Sequence, residues 1–110
     1  MLDRLKIRIP DIDKDLAAEL IKTAKDRILL RAELKRDKLP EELESICVEV
    51  VTAMYRKHEM QHEGVDSEGV DVFSVKFVND LLDQYEDELE AYKKMLKDEE
   101  DASRGKVRFL

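Results

Sequence analysis

Five consecutive residues, His58-Glu59-Met60-Gln61-His62, have the types and spacing of a zinc site. Histidines at i and i+4 share one helix face, where both imidazoles can ligate a single ion, and the glutamate between them can act as general base. The surroundings do not continue the pattern. A metzincin extension needs a glycine three residues after His62 and a histidine six residues after it, and Val65 and Glu68 stand there instead. Asp83, Glu86 or Asp87 could be offered as a third ligand, but in so acidic a segment some carboxylate falls near any chosen distance. A protease also needs a cleft wall and an edge strand for its substrate, and 110 residues with thin β content supply neither. His58 and His62 therefore read as polar side chains in the last turns of a helix, where such groups are ordinary. A small zinc-dependent hydrolase using His58, His62 and Glu59 stays as an alternative reading.

Other chemistry is thinner still. Cys47 is the single cysteine, which excludes an intrachain disulfide and fits a reducing compartment. No histidine or basic neighbour in sequence marks it as a nucleophile, so it reads as a small core hydrophobe. There is no Gly-rich phosphate loop and no Ser-His-Asp or Cys-His arrangement with supporting context. Glu86 and Glu90 share a helix face, but in a Glu-rich helix that is solvated surface. No cofactor, no bound metal and no enzymatic activity are expected.

The elements that would carry these residues can be read from apolar spacing. Leu2, Leu5 and Ile9 step by three and four, so residues 1–9 form a short helix that Pro10 stops. Asp11 or Asp13 can cap a second helix, from about Asp13 to Arg36, whose stripe is Ala17, Leu20, Ile21, Ala24, Ile28, Leu29 and Ala32. Lys14, Lys22, Lys25, Arg27 and Arg31 project around its remaining surface. Pro40 suits a first helical position, and Glu41, Glu42 and Glu44 favour the positive end of the dipole. That third helix runs to about His62 and buries Leu43, Ile46, Val50 and Met54, with Cys47, Val51 and Ala53 beside them.

Residues 63–69, EGVDSEG, read as a loop. Over residues 70–78, Phe73, Val75 and Phe77 alternate with Ser74 and Lys76, the period of a strand with one apolar face. Asn79 or Asp80 then caps a fourth helix, about Leu81 to Lys97, with a narrow seam of Leu82, Tyr85, Leu89, Tyr92 and Leu96. After the charged KDEEDASRG, Val107 and Phe109 alternate with Lys106 and Arg108, which predicts a second short strand. The expected fold is mainly α: a small bundle of about four helices, with a strand or loop arm before the last helix and an extended C-terminal tail. Residues 1–103 form one domain, and 104–110 form the tail.

Charge is distributed unevenly along the 110 residues, whose formal net charge is −7. Residues 1–38 carry eleven basic and eight acidic groups; 39–79 carry three against nine; 80–103 carry three against ten; and 104–110 carry three basic groups and no acid. An acidic total argues against general nucleic-acid binding. Basic ends and an acidic body permit head-to-tail complementarity between copies of the chain. No apolar run is long enough to span a membrane, and the first fifteen residues lack the apolar stretch of a secretory signal, so neither is expected. A domain this small has a thin core that a partner subunit would help to cover.

The order of elements carries a resemblance. A short helix MLDRLKIRI is followed by AKDRILLRAEL, then LPEELESICVEVVTAMYRK, the SEGV…SVKF segment, DQYEDELEAYKK and a closing GKVRFL. This arrangement resembles the head–tail connector (adaptor, head-completion) proteins of long-tailed double-stranded DNA phages and prophages, over nearly the whole chain. The charged KDEEDASRG and the HEMQH segment depart from the pattern. The resemblance implies a non-enzymatic virion subunit, assembled in the bacterial host cytoplasm into a homo-oligomeric ring, expected to be twelvefold, beneath the portal protein. Such a ring extends the DNA channel, lets double-stranded DNA pass without specific binding, meets the next head-completion (stopper) protein, and touches no membrane. On that basis Arg104, Lys106, Val107, Arg108, Phe109 and Leu110 would dock on the portal. Gly64, Gly69, Phe73, Val75 and Phe77 would form an arm toward a neighbour or the channel, and Leu82, Tyr85, Leu89, Tyr92 and Leu96 a subunit seam. A generic cytosolic helical adaptor is the remaining alternative.

Overall fold

Leucines, isoleucines and valines at spacings of three and four, interrupted by few helix breakers, build a chain of helices. The computed structural model describes the backbone of residues 1–34, 38–62 and 71–108, and side chains up to residue 99 apart from His62. The order is α1 (Leu2–Arg8), α2 (Lys14–Arg31), α3 (Glu41–His62), α4 (Val75–Leu82), a 3-10 turn (Asp83–Tyr85) and α5 (Glu86–Arg108). The described residues include no strand. The mainly helical class expected from sequence is what the chain adopts.

Local chemistry explains the first three helices. Asp13 caps α2, its carboxylate accepting from the amides of Asp15 at 3.0 Å and Leu16 at 3.2 Å. The Asp13 amide in turn donates to the Tyr55 hydroxyl at 2.8 Å, which ties the start of α2 to the middle of α3. Arg4 joins α1 to α3 through Ser45 at 2.9 Å. The second helix ends five residues before the expected Arg36. Glu33 takes a left-handed φ of 57°, its amide reaches the Leu30 carbonyl, and the Leu34 amide reaches that of Leu29 at 2.9 Å. That paired pattern is a Schellman stop, normally built on glycine, and Leu34 packs on the core beneath it.

The core is a single apolar cluster. Leu5, Leu20, Ala24, Ile28, Cys47, Val48, Val51, Met54, Val78, Leu82 and Leu89 are fully enclosed, and no polar or charged residue is buried among those described. The stripes predicted for α1, α2 and α3 face this cluster. Ile21 lies at its margin, Leu29 is buried outside it, and Ala53 is half-buried.

Three expectations are corrected. Where a strand was expected over 70–78, the described residues 71–78 form a tight turn and the start of α4. Ser74, at φ −69° and ψ 146°, caps the helix by accepting from the Phe77 amide, so the cap lies five residues ahead of the expected Asn79 and six ahead of Asp80. Val75, placed on the apolar face of the strand, is half exposed at 51%, while Val72 and Val78 are buried. The expected continuous helix 81–97 is instead interrupted by the 3-10 turn and then runs on. The backbone of residues 104–108 completes α5 where a strand was expected, because KDEEDASR is made of helix-tolerant residues and a lone Gly105 costs only about 1 kcal/mol. Residues 35–37, residues 63–70 with the expected loop and its Gly64 and Gly69, and Phe109 and Leu110 lie outside the described residues.

Candidate interaction surface

His58 and His62 do occupy successive turns at the end of α3. His58 is half-buried and Glu59 exposed, while the His62 side chain is outside the described set. Among the described residues, no group of three or more His, Cys, Asp or Glu is placed to hold a metal. Two of the carboxylates that could have been third ligands are engaged elsewhere. Asp83 and Glu86 close on the Arg31 guanidinium at 2.8 Å and 3.2 Å. A guanidinium between two carboxylates satisfies the charge a metal would otherwise supply.

Cys47 is enclosed in the core. Burial first, and the Glu44 charge second, push its thiol from 9.0 up to about 12. The neutral thiol is thereby favoured and the nucleophilic thiolate suppressed. A chromogenic disulfide at pH 8 is expected to leave the native thiol unreacted and to titrate it once denaturant is added; equal rates in both would contradict the burial. A folded pKa above the unfolded one means this contribution to stability is complete below about pH 9 and lost as pH rises through about 12. Tyr85 acts in the same direction, since burial and its hydrogen bond to Glu49 raise the phenol to about 12.

The seam residues sit mainly inside the chain. Leu82, Leu89 and Tyr92 are buried in the chain's own core, with Tyr85 and Leu96 packed at its edge. The thin bundle closes over these positions itself, so an apolar line spaced by three and four does not wait for a neighbouring subunit. Of the arm residues, Phe73 and Val75 are exposed and Phe77 packs against the core. The tail side chains Arg104, Lys106, Val107 and Arg108 belong to the last turns of α5, whose side chains are described only up to residue 99.

Ion pairs gather where α2 ends against the α4–α5 junction. Besides the Arg31 pairs, Lys93 reaches Glu33 at 3.4 Å and Glu90 at 3.3 Å. Beside this junction Arg27, Leu30, Arg31 and Asn79 line an open cleft of about 230 Å³. Leu30 is 64% exposed there. Sequence reading did not single out the cleft, though it held a signal: Leu30 is a leucine outside the apolar stripe of its own helix. Exposed apolar side chains also stand on other elements, with Ile7 on α1, Met60 on α3 and Met95 on α5. No described helix is long and apolar enough to cross a membrane.

The described body is helical, its core holds no acid or base, and single apolar side chains stand exposed on several helices. Comparison with curated proteins returned no match, and comparison with solved structures returned none. A family model described as "Phage gp6-like head-tail connector protein" matches residues 2–93, which takes in α1 to α4, the 3-10 turn and the packed first part of α5. The chain belongs to the gp6-like head–tail connector family of phage proteins.

Proposed function

We propose that this structural virion protein forms a closed ring beneath the portal, where it joins the DNA-filled head to the tail and lengthens the DNA channel. The family match over residues 2–93 carries the reading. The surface supports it. A ring needs a heterologous interface, in which one patch meets a different patch on the next copy, and the chain has basic ends and an acidic body. An acidic channel wall gives passing phosphate nothing to pair with. The last turns of α5 and Phe109–Leu110, rich in basic and apolar residues, are the docking element toward the portal, and Phe73 and Val75 form the arm toward a neighbour or the channel.

The test is a pull-down on a portal protein with the full chain and with one ending at Ser103. The full chain is expected to be retained in many copies per portal ring, and the shortened chain to be lost from the beads while keeping its helical circular dichroism. Equal retention would refute the docking role. Averaged electron micrographs of the bound complex should show rotational symmetry matching the portal, twelvefold on this reading.

A further inference from the structure

Two exposed apolar side chains each stand near a charge left without an ion pair among the described residues, basic in one place and acidic in the other. On α2, Leu30 borders the cleft with Arg27, a cation that makes no ion pair with any described residue. On α5, Met95 is 43% exposed, with exposed Glu88 and Glu99 on the same flank, neither ion-paired among the described residues. The flank has a definite direction. Glu86 and Lys93, seven residues apart, turn toward α2, where they meet Arg31 and Glu33. Glu88 and Met95 each lie two residues further on, about 200° round the helix, and so face away from α2. The two patches cannot meet within one chain.

We infer that the Arg27–Leu30–Asn79 cleft receives the Glu88–Met95–Glu99 flank of α5 from a second copy. Met95, an unbranched and adaptable thioether, covers Leu30, and a carboxylate of its flank pairs with Arg27. Each patch differs from its counterpart, so every copy gives one contact and takes one, which generates a ring or an open chain rather than a closed pair. This inference rests on the ring reading and names the surfaces that build it.

The experiment is thiol cross-linking by a short bismaleimide, with the chain bound to a portal protein and Cys47 left in place as a silent thiol. A chain carrying both Leu30→Cys and Met95→Cys should give a ladder of covalent dimers, trimers and higher species. A mixture of the two single variants should stop at dimers, and either single variant alone should stay monomeric. Adding Arg27→Glu should cut the ladder several-fold, and adding Glu88→Lys and Glu99→Lys to that chain should restore it. A Leu30→Cys chain that dimerises alone would mean a symmetric contact and overturn the inference. No ladder from chains that still bind the portal in many copies would overturn it while leaving the ring intact; failure of multi-copy binding itself would remove both.

Discussion

Replacing Leu89 by alanine is expected to cost the isolated chain about 2–5 kcal/mol, the range for truncating an enclosed leucine. Leu89 is completely covered by the chain's own residues. Removing its branched end deletes buried apolar surface and leaves a cavity that the surrounding helices fill only in part. Against the roughly 5–15 kcal/mol that holds a domain together, this is a large share. Urea denaturation at micromolar concentration or below should show the midpoint falling with little change in slope. Met95→Ala, six residues on and exposed, should stay within about 0.5 kcal/mol. The contrast discriminates between two uses of one apolar line. Had Leu89 faced a neighbouring subunit, its truncation would leave the dilute monomer unchanged and weaken only assembly, so a shift below about 0.5 kcal/mol would place it outside the core.

What sequence could and could not reveal follows from the range of each signal. The first three helices were readable because each is long, with its stripe repeated over several turns, and because Pro10, Asp13 and Pro40 mark starts and stops by local chemistry. The 73–77 segment is too short for that. Phe73, Val75 and Phe77 fit a period of two, but Phe77, Leu81 and Tyr85 fit spacings of four equally well, as do Val78 and Leu82. The serine decided the outcome by capping the Phe77 amide. The 3-10 turn left no mark because no glycine or proline accompanies it. It coincides with Arg31 gripping Asp83 and Glu86, a contact 52 residues apart in the chain for the Asp83 pair. The Schellman stop at Glu33 was hidden for a related reason. Its usual glycine is replaced by a residue that is tolerated in the left-handed region at a modest energetic cost. The candidate surface was the least readable part. Arg27, Leu30 and Asn79 come from two helices, and only their packing makes a cleft.

Two proline substitutions should separate helix from strand at residues 75–82, with a difference of about 3 kcal/mol or more between them. Val75 is the first helical residue after the Ser74 cap, a position where proline is favoured because the amide it removes has no partner within the helix. Ser74 at φ −69° and ψ 146° already has the extended backbone required of a residue before proline. Val75→Pro is therefore expected to be nearly neutral. Asp80 lies inside α4 with an exposed side chain, so Asp80→Pro removes little packing. It does delete the amide that bonds one turn back, and its ring collides with the carbonyl four residues earlier. In a strand centred on Val75 the order would reverse. Proline at 75 would break the ladder, whereas proline at 80, beyond the strand and in the expected helix cap, would be tolerated. Thermal melts of the two variants decide between these accounts, and a Val75→Pro chain less stable than Asp80→Pro would rule out the Ser74-capped helix.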